Sequence, residues 1–303
     1  IGSGHCHGAM EQMMTNDAPY RRTIQWPGKK LLCCTFSVAL EAFRKTGRFK
    51  MDPHIDVNLS SLSHAEYGGS VGIWRILEIL ERQQVRAMVL VNSLAAEKWP
   101  DAVRALHQAG HEIAGHGTTN ETSMVELNPK EQEKEIHSCT QILEDLTGTR
   151  PVGWFGPGGH HTDITLELLA EAGYLWSGDQ SDDDIPYVTS ANGRRICVIP
   201  KTWYANDWRA WGNGLGNAGT FFAGYKDGFD FVYDEARRGR PSMIDACVHA
   251  ELGGRPYLAI GFERIIEHVN RHRDEIWQPT YREIAEYCLE TGNPSQKHGK
   301  LAN

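Results

Sequence analysis

Short apolar runs rich in β-branched residues alternate along this chain with longer stretches of helical period, and this constrains the fold more than any other feature. Parallel strands need a long crossover, normally a helix, so strand–helix repetition implies a parallel sheet wrapped in helices. Residues 30–38, 87–91 and 112–115 read as the first strands, with 174–176, 196–200 and 242–249 following later. Residues 72–84 repeat apolar side chains at helix spacing, and 95–109 read as one helix closed by Gly110. Asn128 with Pro129 starts a long charged helix to residue 146. Further helices are predicted over 163–172 and 221–238, with two more after the last strand, and 212–219 reads as a Gly-rich loop. The expectation is an α/β fold of the (β/α) barrel kind. No repeat or linker interrupts it, and 303 residues can bury one full core. Residues 1–25 are expected to be a flexible arm, 26–290 one barrel domain and 291–303 a tail.

A formal net charge of −8 argues against nucleic acid or an anionic membrane as partner, because both need clustered Lys and Arg. No apolar run reaches the roughly 18 residues of a membrane span, and the N-terminus lacks a secretory apolar region. The seven cysteines are odd in number, scattered and partly inside apolar runs such as Leu31-Leu32-Cys33-Cys34. No pair has C-x-x-C spacing, so they read as buried thiols in a reducing compartment, and the expected location is the cytoplasm. His5-Cys6-His7 between glycines reads as a loose arm, with adventitious metal binding as the alternative.

Working residues of parallel barrels lie at strand C-termini and on the loops that follow. Four such places carry polar groups: residues 37–41, 116–121, 179–184 and 249–251. Their carboxylates and histidines suit general acid–base chemistry. Each has a plainer alternative: a structural histidine, a solvated Glu41, or a hydrated turn at Asp182-Asp183-Asp184. His111 precedes its strand, so it points to the opposite barrel end and reads as structural.

Five stretches in order resemble the polysaccharide-deacetylase (NodB-homology) superfamily. They are Trp26-Pro27-Gly28 with Thr35-Phe36-Ser37-Val38-Ala39-Leu40-Glu41; Glu66-Tyr67-Gly68 through Gly72, Trp74 and Arg75; Gly110-His111-Glu112 through His116-Gly117; residues 151–159; and Val248-His249-Ala250-Glu251 through Gly254-Arg255-Pro256. The second is similar to a segment of allantoinase-like and cyclic-imidase-like members. The resemblance implies a distorted (β/α) barrel of the NodB-homology, carbohydrate-esterase type.

Deacetylases of that superfamily bind a divalent metal through one Asp and two His, with a second Asp as base. On this chain those positions fall at Ala39, His116, Asn120 and Ser37, and Phe155 takes the place of an Arg that orients the base. Alanine offers no ligand atom and a carboxamide is a poor one, so only His116 remains of the triad. The allantoinase-like branch, whose members hydrolyse cyclic amides or imides, likewise departs from that triad, and the resemblance aligns its retained groups with Glu41, His116 and His249. These three are the candidate catalytic residues: His249 as base, Glu41 as its orienter or the alternative base, and His116 with Asn120 as carbonyl or oxyanion donors. Candidate substrate contacts are Ser37, Asn120, Trp154, Phe155, Gly158, Asp179, Trp203, Trp208 and Glu251, several of them drawn from the Gly-rich third-motif loop (residues 151–159), the acidic stretch at 179–184 and a Trp-rich insertion between residues 201 and 219. The expected function is hydrolysis of a non-peptide C–N bond that opens a small cyclic amide, imide or ureide, with no cofactor required. Two alternatives stand beside it. One is metal-dependent N-deacylation, with zinc or a similar ion on His116 and Glu41 or His249; the other is a non-catalytic small-molecule binder. A homo-oligomer is expected by the same resemblance.

Overall fold

The structure is a computed structural model that describes residues 23–44, 59–212 and 217–292. The His5-Cys6-His7 segment and the last residues of the chain lie outside them. The strands are β1 (Leu32–Leu40), β2 (Met88–Val91), β3 (Glu112–Gly115), β4 (Gly153–Trp154), β5 (Trp176–Ser177), β6 (Tyr187–Ala191), β7 (Arg194–Val198), β8 (Met243–His249) and β9 (Ile276–Trp277). They form one sheet in the order β6-β7-β5-β4-β3-β2-β1-β8, with β9 added against β1. Every pair is parallel except the β6–β7 hairpin.

The predicted α/β architecture holds, and the sheet curls into a half-barrel. The sides of β1 alternate as strand geometry demands. Leu32, Cys34, Phe36, Val38 and Leu40 join the main apolar core with residues of the covering helices. Thr35, Ser37 and Ala39 share the opposite side, pointing inward. In register with β8, Thr35 lies opposite Asp245, Ser37 opposite Cys247 and Ala39 opposite His249. Two strands therefore present their chemistry to one interior.

Between β8 and the β6–β7 hairpin, irregular chain replaces regular pairing. Met243 N–H donates to the Asp184 carbonyl at 2.8 Å, and Cys247 N–H to the Ala205 carbonyl at 2.8 Å. Asn206 and Cys247 form a single parallel bridge. The chain after β7 thus runs beside β8 and enters the short helix α1 (Asp207–Gly212) at the level of His249.

Several boundaries differ from the sequence reading. The helix expected over 95–109 is two, Ser93–Lys98 and Pro100–Gln108, because Pro100 has no N–H to continue the first and fits the N1 position of the second. The strand expected at 174–176 is Trp176–Ser177, while Tyr174 packs its ring edge-on against Trp154. The sequence reading lacked β6, although Asn192-Gly193 marks its hairpin: φ is 46° and 75° there, the positive pair of a type I′ turn. Ile24, placed in the arm, is buried beside Trp26 in the second core cluster. His111 is buried, and its Nδ1 accepts the Ala87 N–H at 3.1 Å, a structural role at the far end of β2.

Candidate active site

Glu41 follows the last residue of β1 and His116 follows β3, so neighbouring strand ends deliver both to one cavity. His116 Nε2 lies 3.0 Å from Glu41 Oε1, and Asn120 Nδ2 donates to Glu41 Oε2 at 3.0 Å. The other His116 nitrogen, Nδ1, hydrogen-bonds the Phe155 carbonyl, which can only accept. With Nδ1–H donating to that carbonyl, Nε2 is turned to the Glu41 carboxyl group. The Asn120 amide donates to Glu41 and so favours the carboxylate form.

Across the cavity His249 ends β8, and its Nδ1 lies 2.7 Å from Asp207 Oδ1. Asp207 Oδ2 also accepts the His249 backbone N–H at 2.8 Å, so one carboxylate fixes both the ring and the main chain. Asp207 is 0% exposed. Burial alone pushes the imidazole pKa down, but the Asp207 charge and hydrogen bond, with Glu41 and Glu251 nearby, raise it to about 9. His249 is therefore an imidazolium at neutral pH. Its Nε2 has no hydrogen-bond partner among the described residues, and the Trp208 ring stands edge-to-face to it at 6.5 Å.

The cavity is about 170 Å³, room for a compact small molecule, and its floor holds a second carboxylate. Asp245 accepts the Thr35 hydroxyl at 2.7 Å and the Ser37 hydroxyl at 2.5 Å. Burial pushes its pKa to about 6, partly offset by hydrogen bonds from Ser37, Thr35 and Tyr281.

Of the residues singled out in the sequence, Ser37, Glu41, His116, Phe155, Gly158, Trp203, Trp208 and His249 line this cavity. Four others do not. Asn120 stands behind Glu41 and spends its amide there. Trp154 is buried in the apolar core against Tyr174 and Gly115, because two-residue β4 turns it to the helix side of the sheet. Asp179 braces the third-motif loop by accepting the Gly156 N–H at 2.8 Å. Glu251 is buried beneath the Gly68–Gly72 turn, where only glycine at 68 leaves room for its backbone. His160 and His161 also stay out: they bond Ser123 and the Gly159 carbonyl. Asp183 accepts the N–H groups of Asp184 and Ile185, a turn role. His116 and Asn120 as oxyanion donors need correction, since both His116 nitrogens and the Asn120 amide are already committed.

The sequence reading missed Asp207, Asp245, Lys201 and Arg209. Asp245 was within reach, because alternation along Met-Ile-Asp-Ala-Cys-Val-His puts residues 245, 247 and 249 on one side. Asp207 carried no local signal beyond lying in the Trp-rich insertion.

Residues 66–176 match the family model described as polysaccharide deacetylase. The chain is 26% identical over 268 residues to a peptidoglycan deacetylase of Helicobacter pylori, covering 78% of this chain and 89% of that protein. Its fold superposes on a probable polysaccharide deacetylase from Pseudomonas aeruginosa with a TM-score of 0.80 at 29% identity, covering 88% of this chain and 93% of the other. The crystal structure of Puue allantoinase gives the same TM-score and identity over 89% and 94%. The chain carries a polysaccharide deacetylase domain over the residues that the family model matches.

Proteins of that family are hydrolases acting on C–N bonds, and its deacetylases are typically metal-dependent. The positions of this chain that align with their metal set do not supply it. Ala39 has no donor atom, Ser37 is committed to Asp245, and Asn120 turns its amide nitrogen toward Glu41. Among the described residues, no three His, Cys, Asp or Glu side chains converge as ligands. None of the described helices is long and apolar enough to cross a membrane.

Proposed function

We propose that this chain hydrolyses a C–N bond of a small cyclic amide, imide or ureide by acid–base chemistry. The observation that carries the reading is the pairing of a proton-poor and a proton-rich group across one small cavity: Glu41 held by His116 and Asn120, and His249 held charged by Asp207. The likeness to Puue allantoinase supports the substrate class.

The geometry favours Glu41 as base, reversing the first assignment. An imidazolium cannot accept a proton, whereas a carboxylate accepts one from water. Water then attacks the ring carbonyl carbon as its proton passes to Glu41. His249 Nε2–H stabilises the developing oxyanion and then protonates the leaving ring nitrogen as the C–N bond breaks. The product carries a new carboxyl group and a freed amide or amine. A proton passed back from Glu41 to His249 through solvent resets the pair. Imides and ureides leave more readily than ordinary amides, so this reaction asks less of a Lewis acid.

Steady-state turnover of a panel of hydantoins, dihydropyrimidines and cyclic imides, with metal analysis of the same preparation, tests the reading. Ring opening that persists after chelation supports it. Stoichiometric metal whose removal abolishes activity, together with cleavage of N-acetyl substrates, would replace it with N-deacylation.

A further inference from the structure

Among the described residues, two cations at the cavity form no ion pair. Lys201 lies just beyond β7, and its Nζ sits 4.1 Å from the Trp203 ring centroid and 4.9 Å from that of Phe155. The Arg209 guanidinium carbon lies 4.6 Å from the same Trp203 ring. All four residues line the cavity that holds Glu41 and His249. Among the described residues, neither cation forms an ion pair, although most arginines with a nearby acid do so here. Aromatic faces attract a cation but supply no compensating charge.

The ammonium runs beneath the Gly-rich loop of residues 151–159, where a Cβ on Gly159 would fall 2.0 Å from Nζ. Gly159 has φ +70°, a backbone that glycine adopts without strain. Asp179 acts on Lys201 electrostatically without forming an ion pair with it, and its Oδ1 accepts the Gly156 N–H. Burial pushes the Lys201 pKa down, so its charged form gains from an added anion. Deeper in the cavity the signs reverse, with the Glu41 and Asp245 carboxylates.

We propose that Lys201 and Arg209, with Trp203 as a platform between them, bind a carboxylate substituent on the substrate and thereby point its ring toward Glu41 and His249. This rests on the ring-hydrolysis reading for the identity of the ring, though not for the anion subsite. A singly charged carboxylate suits the site better than a phosphate dianion, because Glu41 and Asp245 repel added charge from below. The substrate class is then a cyclic amide or imide bearing an acidic side chain.

Calorimetric titration of the full chain with carboxymethyl hydantoin and with its neutral carbamoylmethyl counterpart tests the subsite, in a His249→Asn background so that binding is read without ring opening. The carboxylate should bind about tenfold tighter than the amide, with the advantage shrinking as salt rises. Arg209→Met, at an exposed position, should reduce that advantage, and the Lys201→Met/Arg209→Met pair should remove it. If Lys201→Met does not fold, Arg209→Met and Lys201→Gln carry the comparison. Equal affinity for the two ligands, a preference that survives the double change, or no binding of carboxymethyl hydantoin, succinate or glutarate would each overturn the proposal. Carboxylate-selective binding to a wild-type chain that opens no ring would instead sink the hydrolysis reading and leave the subsite standing.

Discussion

The two walls of the cavity are built differently. On one side Glu41 and His116 hang from the ends of neighbouring parallel strands, and the sheet itself sets their separation. On the other, His249 also ends a strand, but its partner Asp207 arrives on irregular chain that runs beside β8 where a further strand would complete a barrel. The first wall is rigid by backbone pairing. The second depends on a few hydrogen bonds: Cys247 to Ala205, Met243 to Asp184, and the double contact of Asp207 with His249. By our proposal, the strand-borne wall carries the base, and the loop-borne wall sets the charge of the acid and reads the substrate.

Removing either end of the acid–base pair should break the site most severely. His249→Asn is expected to lower kcat/KM for ring opening by about 10²–10⁴-fold, the usual worth of a general acid. Glu41→Gln should cost a similar factor, and stopped-time product assays on the two variants compare the walls directly. Turnover within a few-fold of wild type in either would remove that residue from the mechanism.

Asp207→Asn sharpens the comparison, because it leaves His249 in place and takes away what holds it charged. In the wild type, activity should decline as pH rises through about 9, when the acid loses its proton. In the variant that alkaline limb should move down toward the ordinary histidine value of about 6.5, with kcat at neutral pH reduced by roughly tenfold to a hundredfold. An unmoved limb in the pH–rate profile would show that another group supplies the proton.

Stability should carry the same signature at smaller amplitude. The folded-state pKa of His249 lies above its unfolded value of 6.5, so the fold favours the charged form. That stabilisation is complete below about 6.5 and is lost as pH rises through about 9. Thermal unfolding midpoints should fall more steeply across this window in wild type than in His249→Asn; parallel curves would contradict the Asp207–His249 coupling.

The smallest effect expected is that of Trp154→Phe, which alters a side chain on the helix side of the sheet and should change KM by less than about twofold, the range of changes remote from a site. A large KM change would return Trp154 to the cavity wall.

Legibility in the sequence follows the same division. Strands β1, β2, β3 and β8 are written in short, largely apolar runs, and the side chains at or just beyond strand C-terminal ends, Glu41, His116 and His249, follow from them. The hairpin strand β6 was passed over because Tyr-Val-Thr-Ser-Ala is half polar, as befits a strand at the sheet's end, and only Asn192-Gly193 announced it. Trp154 was misplaced because a two-residue strand offers no alternation from which to read its direction. Ser37, read from the sequence as a substrate contact, lines the cavity with its hydroxyl donated to Asp245.

By itself, the chain's order of residues determined the parallel α/β core and which strand ends would carry acid–base groups, because apolar periodicity and strand alternation are local properties of the backbone. It also determined that Ala39 and Asn120 stand where metal ligands are expected. What the tertiary structure alone decided is which groups meet. Asp207 reaches His249 across 42 positions of chain, and that contact raises the proton affinity of the histidine. Lys201 and Arg209 meet at one Trp203 ring only because the chain after β7 folds over the cavity. A proton affinity is set by burial and by neighbouring charge, and both are properties of the folded chain, not of sequence spacing.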